Sequence, residues 1–445
     1  MSDSRRVPDA IDWHEGMLLA PQHFQQLSQR HEELVHFHAA AASPFHWGVS
    51  RLEIDTAALS QGVLRIAALE AVLPDGLIVT RELDDPQPLE VDLKPSAAAL
   101  EAGSSRVWLA VPARRPGLSP LHGEFPRYRS IDGGAVIDES SGEGDVFIPR
   151  LRPSPALLVT ETPPLRYAAL PVARVRRADD KFRLDESWEP PVMSVALGSP
   201  FARVAMEVAE RLRKKTEVLA DRARARSVVQ TPQLLETKMM IHALVSALPR
   251  LEAVLATGRS HPFALYLALC DVAGNVAALG HGMTPPVFPP YDHADPMAAF
   301  DRLRDFILRV VAEAVSESYT PFRFYFDQGA YNLPFAEDWR DLSLVLGFRG
   351  QDGVDESEVE TWVESSLIGS QDLMPAMRDK RILGARRKRI EREGDLVPAG
   401  GVLLYSLEAD PEFVHPNQIL QVWNVGDRGE TPRVVEIILY VKVPR

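Results

Sequence analysis

Six of the twelve histidines, His14, His23, His31, His36, His38 and His46, fall within the first 46 residues. Imidazole titrates near neutrality and ligates metals readily, so a cluster of this density is where proton transfer or metal binding would be sought. Ligation needs side chains that converge. On a helix His31 and His38 share a face, and His36 shares it with neither. No cysteine and no repeated ligand spacing joins them, so solvated or capping imidazoles are expected and no metal ligand is assigned. The single Cys270 lies in an apolar helical run with no cation nearby to lower its pKa, which predicts a buried, inert thiol. A phosphate-cradling glycine loop, a nucleophile elbow, a His-Glu-x-x-His pair and a dinucleotide fingerprint are all missing from the chain. No catalytic residue and no cofactor is therefore assigned, and the expectation is a protein that is not an enzyme.

The charge balance narrows the partners. Against 62 acidic residues stand 49 basic ones, a formal charge of −13 that repels nucleic acid and anionic lipid over most of the surface. One run departs from this, Lys380 to Arg389, with Arg386, Arg387, Lys388 and Arg389 at its end. It reads as a solvated helix face, or as an electropositive patch for an acidic partner surface or the inner leaflet, where each charge gains roughly 1 kcal/mol. A second basic concentration, Arg211, Arg213, Lys214 and Lys215 with Arg222, Arg224 and Arg226, reads as the wet face of a long helix. The first six residues do not resemble a secretory signal, and no run reaches the roughly 18 uncharged apolar residues that span a bilayer. With one cysteine, this fits a cytoplasmic chain.

The elements that must position such groups change character twice. Residues 1–190 read as β-rich after a helix over Gln25 to Ala42, with short strands such as Leu52–Ile54, Val63–Ile66, Leu77–Thr80, Val107–Val111 and Leu157–Val159. Many short strands punctuated by Pro, Gly and Asp favour a sandwich or barrel over an α/β sheet. Ser130 to Gly144 reads as an exposed hairpin tip or loop. Residues 191–320 carry four helical runs, Phe201–Val228, Gln233–Ala256 (kinked or split at Pro249), Phe263–Leu279 and Met297–Ser318. In the last, Phe300, Leu303, Ile307, Val310 and Ala314 form a narrow seam, suited to an intramolecular bundle or to self-association about an axis. Residues 321–445 read as an α+β domain, with strands at Phe322–Phe326, Leu342–Phe348, Val402–Leu407, Ile419–Val425 and Val434–Val443. A helix is expected over Ser357–Ile368, capped by Asp355 with Glu358. The fold class is thus α+β and multi-domain: a β-rich N-terminal domain, sandwich-like or barrel-like, a central helical bundle and an α+β C-terminal domain.

Ahead of the first helix stands the least regular stretch, Trp13 to Gln26. Gly16 and Pro21 break any regular element, so Trp13, Met17, Leu18, Leu19 and Phe24 are expected on an irregular loop, tucked into its own domain or held in a partner's groove.

This stretch resembles the opening of the TssK family, the trimeric baseplate subunit of bacterial type VI secretion systems, also called ImpJ or VasE. The resemblance continues through Ser43-Pro44-Phe45-His46-Trp47-Gly48, Leu73-Pro74-Asp75-Gly76, His261-Pro262-Phe263-Ala264-Leu265-Tyr266 and Tyr291-Asp292-His293 with Phe300, over roughly the first seventy per cent of the chain. It implies a shell similar to the shoulder of siphophage receptor-binding proteins, a trimeric neck and a mobile recognition head. It also implies a homotrimeric structural adaptor joining the wedge subunits TssF and TssG, through the N-terminal domain, to the membrane-complex proteins TssL and TssM, through the head. The matching arm residues are Trp13, Gly16, Met17, Leu18, Pro21, Gln22, His23 and Phe24. The alternatives are a phage-tail-like receptor-binding or baseplate protein and a soluble enzyme. Val397 to Val425 departs from the family's proline-rich C-terminal run.

Overall fold

The computed structural model describes residues 7–442 apart from 83–84, 116, 118, 124, 226–231, 281, 315–317, 352, 395, 397, 399–400 and 425–432, and only the backbone of 222, 225, 232 and 233. The expected helix end at Val228, Arg226, and the strand ends Val425 and Val443 lie outside the described residues, as does Val397. The chain forms two compact units, one comprising residues to Met206 with Arg250–Leu269 and Phe288–Leu303, the other Glu207–Pro249, Cys270–Val287 and the chain from Arg304 onward.

In the first unit α1 (Pro21–Ala42) leads into two antiparallel sheets. One holds β1 (Gly48–Ile54), β2 (Val63–Val72) and β3 (Ile78–Arg81), with β4 (Leu89–Asp92) on the other end of β2; α2 (Thr56–Ser60) lies against β2, and α3 (Ala97–Ala102) lies against the other sheet. After β5 (Ser104–Pro112) comes a ribbon of β6 (Tyr128–Ile131), β7 (Ala135–Val136), β8 (Val146–Phe147) and β9 (Arg150–Pro153), then β10 (Ala156–Val159), β11 (Tyr167–Ala178) and β12 (Lys181–Leu184). The second sheet runs β10-β5-β11-β12. Alternating residues of both sheets, Leu64, Ile66 and Leu69 from one and Val107, Leu109, Leu170 and Val175 from the other, share one core, which makes this a β-sandwich. Strand β11 escapes a sequence reading because Pro171 interrupts it. The proline sits at a register shift against β5, the kind of site where a missing N–H costs no ladder bond.

The helices are α4 (Pro200–Ala225), α5 (Pro232–Val245), α6 (Leu248–Ala256), α7 (Pro262–Ala277) and α8 (Met297–Ala314). Pro249 goes with a split rather than a kink: α5 ends at Val245 and the proline occupies the first turn of α6, where its missing N–H is tolerated.

In the second unit the chain after α8 adds β13 (Tyr319–Arg323), β14 (Tyr325–Asp327), β15 (Ala330–Pro334), β16 (Leu344–Gly350), α9 (Glu356–Ser365), β17 (Leu367–Ser370), α10 (Met374–Lys380), β18 (Arg387–Ile390), β19 (Val402–Leu407), β20 (Ile419–Trp423) and β21 (Val434–Lys442). They form a β13-β21-β16-β19-β18 sheet and a β14-β15-β20-β17 sheet. Leu346, Phe348, Leu420 and Val422 from the sheets and Val359, Trp362 and Val363 from α9 share a core. Asp355 caps α9 as expected, accepting from the Glu358 N–H at 2.9 Å. The expected helix overruns: Leu367–Ser370 is a strand, because Leu367 and Ile368 bury themselves by pairing with β20. The architecture as a whole is α+β.

Candidate interaction surfaces

The sequence blocks that carry no regular period meet in space inside the first unit. Phe45 packs on Phe263 (ring centroids 5.1 Å apart), Tyr291 (4.9 Å) and His293 (5.2 Å), and Trp47 lies edge-on to His293 at 4.7 Å. His293 donates from Nε2 to the Trp47 carbonyl (2.8 Å), which leaves Nδ1 to accept from the Tyr291 hydroxyl at 2.9 Å. Burial pushes His293 down to about 4, helped by His261 nearby, and pushes the Tyr291 hydroxyl up. His261 is lowered by the same cause. These are neutral, structural imidazoles that tie the residues near 45, 261 and 291 into one base.

That base also seats α1. The Nε2 atoms of His36 and His46 lie 3.1 Å apart, and His36 Nε2 is 3.3 Å from the Pro74 carbonyl. His46 is pushed down by burial and then by its neighbour His36. Gly76, at φ +83°, leaves room for the His36 ring: a Cβ there would sit 2.7 Å from His36 Cδ2. Among the described residues no three His, Cys, Asp or Glu side chains converge as a metal site would require.

The arm before α1 is not tucked away, and the reading that buried it in its own domain is corrected. Leu18 is 88 % exposed, Phe24 55 % and Trp13 48 %, and α1 has no fully buried residue in its 22 positions. Gly16 makes a left-handed turn at φ +82° and Met17, half-buried, follows it. Phe24 is not on a loop: Pro21 opens the helix, so Gln22, His23 and Phe24 belong to its first turn. His23 has a local task, accepting the Ala20 N–H on Nδ1 at 3.0 Å, with the Trp13 ring 5.8 Å away. Exposed Trp13, Leu18, Leu19 and Phe24 thus share a short, preformed turn and helix start.

In the second unit the basic run is not a helix face. Arg381, at φ +54°, ends α10, and Arg387–Ile390 forms β18, the edge of its sheet. Charged side chains on an edge strand oppose unwanted strand pairing. Arg387 turns inward, donating from Nη2 to the carbonyls of Val363 (2.7 Å), Glu364 (2.9 Å) and Ser366 (2.6 Å), and so closes the C-terminus of α9. Arg389 pairs with Glu360 at 2.7 Å and Glu356 at 3.4 Å. Arg386 and Lys388 carry the remaining charge of the patch, beside an open groove of about 650 Å³ that Glu364 and Glu408 also line.

The α8 seam is occupied within one chain. Phe300, Leu303 and Ile307 are fully buried and Val310 nearly so, with Phe300 against Phe201 at 5.1 Å and Val310 beside Gly280; Ala314 is half-buried. The reading of this seam as a surface for self-association is therefore corrected. The exposed apolar stripe belongs to α5, where Leu235 is 62 % and Met239 65 % exposed, one turn apart. Cys270 is half-buried rather than buried. When up to two charges are allowed, one stretch among the described residues, Leu234–Ala256, is long and apolar enough to cross a membrane by length and composition; it is broken between α5 and α6.

Comparison with known proteins follows the same geography. A family model described as bacterial type VI secretion, EvfL, ImpJ, VasE matches residues 23–364, so it starts at the head of α1 and stops at the end of α9. The chain is 33% identical over 299 residues, 65% of its length, to the type VI secretion system baseplate component TssK1 of Pseudomonas aeruginosa. That alignment spans 66% of the relative, just short of two thirds. Two solved structures share the fold. A crystal structure of TssK gives a TM-score of 0.64 at 19% identity, covering 98% of this chain and 100% of that one. A chain of a TssK-TssF-TssG baseplate subcomplex of the type VI secretion system gives 0.57 at 24% identity, covering 67% of this chain and 97% of that one. With the match running from His23 through the sandwich and the helices into α9, the chain belongs to the TssK (ImpJ, VasE) family of bacterial type VI secretion proteins.

Proposed function

We propose that the chain is a structural baseplate subunit of a type VI secretion system, working as a homotrimeric adaptor without catalysis. Its β-rich shell, residues 1–190, docks the wedge subunits TssF and TssG. The helical neck, 191–320, holds three copies together, and the head, 321–445, contacts the membrane-complex proteins TssL and TssM at the cytoplasmic face of the inner membrane. Membership of the family, the baseplate name of the 33% identical relative and the wedge partners named for the TssK-TssF-TssG structure support this reading. The observation that carries it is the arm: Trp13, Leu18, Leu19 and Phe24 are held out on an ordered turn and helix start. Apolar side chains displayed on a rigid support mark a surface that a partner covers. The exposed α5 stripe of Leu235 and Met239 suits self-association, and Arg386 with Lys388 suits an acidic surface met by the head. Three copies on one axis would multiply weak head contacts by effective concentration, so that a head can release and rebind while the trimer stays docked.

Met17→Asp with Leu18→Asp tests the arm. The double variant should keep the wild-type mass in light scattering and the wild-type melting curve, and lose capture of co-expressed TssF and TssG. A folded variant that still captures the wedge at wild-type affinity refutes the arm contact.

A further inference from the structure

The ribbon β6–β9 is a second apolar surface in the first unit, and nothing in the arm accounts for it. Its base is anchored. Arg127 pairs with Asp75 at 2.9 Å and donates to the Pro112 carbonyl at 2.7 Å, Arg152 pairs with Asp85 at 2.7 Å, and Arg129 donates to Gln87. Its outer part is ordered as well. Val136 pairs with Val146 and Ala135 with Phe147. Asp138 accepts the Ser140 N–H at 2.7 Å, and the Gly142 N–H closes the turn on the Asp138 carbonyl at 2.7 Å. Gly133 is required where the ribbon bends, since a Cβ would fall on the Ile148 carbonyl oxygen.

On this fixed finger Phe147 is 76 % exposed, and Val146, Ile137 and Leu151 are each more than half exposed. A two-stranded ribbon is marginally stable by itself, and so many exposed apolar side chains on one call for a cover. The finger also carries Asp132, Asp138, Glu139, Glu143 and Asp145, none of which pairs with a cation among the described residues. A cationic cover would complement these carboxylates. In a second copy of this unit several arginines are already taken: Arg65 pairs with Glu90, Arg106 with Asp295, Arg114 with Glu32, Arg174 with Asp185 and Arg177 with Glu101. With 62 acidic residues against 49 basic ones, a second copy of this chain is also the poorer match for an acidic finger.

We propose that the ribbon is a docking finger for a different protein, inserting Val146 and Phe147 into an apolar cleft rimmed by Lys and Arg. This rests on the baseplate reading, in which the wedge is the partner on offer.

Three proteins test it in parallel against co-expressed TssF and TssG: wild type, Val146→Ser with Phe147→Ser, and Glu139→Lys with Glu143→Lys and Asp145→Lys. All altered side chains are solvent-exposed, so melting curves and light-scattering mass should match wild type. Wedge affinity should fall at least about tenfold in each variant, the charge variant should lose part of the salt dependence, and residues 135–147 should gain hydrogen-exchange protection in the wild-type complex. Unchanged affinity in both folded variants overturns the finger contact alone. A fall in oligomeric mass in either variant overturns it too, because the cover is then a second copy. Wild type that captures no wedge overturns the baseplate reading and this contact together.

Discussion

Acid should loosen the aromatic base of the first unit through His293, and the structure sets the size and sign of the effect. The imidazole is 2 % exposed and donates to the Trp47 carbonyl while accepting from Tyr291, an arrangement only the neutral ring satisfies. Its pKa in the folded chain is pushed down from 6.5 to about 4. Below pH 6.5 the unfolded chain therefore binds a proton that the folded chain refuses, and stability falls as the pH falls. Above that value His293 adds no slope. Integrating between the two pKa values gives a loss of about 2 kcal/mol at about pH 5 and about 3 kcal/mol at about pH 4, relative to neutral pH. The assay is urea unfolding followed by tryptophan fluorescence at graded pH, comparing wild type with His293→Gln. Glutamine keeps an N–H for the Trp47 carbonyl and an oxygen for Tyr291 but does not titrate, so His261 and every carboxylate cancel in the difference. The variant should be the less stable at neutral pH, and the gap should close by about 2 kcal/mol on going to about pH 5. Parallel curves for the two proteins would refute the assignment of His293 as a buried neutral imidazole.

Two further expectations concern the scaffold and the patch. Gly76→Ala forces a Cβ into the left-handed region and to 2.7 Å from His36 Cδ2, so α1 should lose its seat. It should cost at least about 1 kcal/mol and expose residues 13–45 to limited proteolysis, against a wild type that resists it. Arg387→Met strips three carbonyls at the end of α9 of their donor and should destabilise the second unit by about 3 kcal/mol, read as a lower urea midpoint. Arg386→Glu with Lys388→Glu should leave that midpoint unchanged and weaken capture of the cytoplasmic parts of TssL and TssM; undiminished capture would remove these two residues from the head contact.

Much of the fold was legible from residue order. Strands such as Val107–Val111 and Leu157–Val159, the start of α9 at Asp355, and the interruption at Pro249 all follow from local rules: alternation, capping geometry, and the donor that proline lacks. Strand β11 was hidden because Pro171 is tolerated at a register shift, and a register exists only once β5 is alongside. Strand β17 was hidden because Leu367 and Ile368 extend the apolar pattern of α9 and turn into a strand by pairing with β20.

For the surfaces the division is sharper. Residue types and spacing determined that Trp13 to Phe24 is special, that Lys380 to Arg389 is basic against an acidic background, and that Phe300 to Ala314 forms a seam. Which of these faces outward was decided only by the tertiary structure. The seam is filled by the chain's own side chains, Arg387 is drawn in by carbonyls at the end of α9, and the arm is left open. Exposure depends on what every other element covers, and an apolar or charged pattern reads the same along the chain whether its partner is intramolecular or another protein.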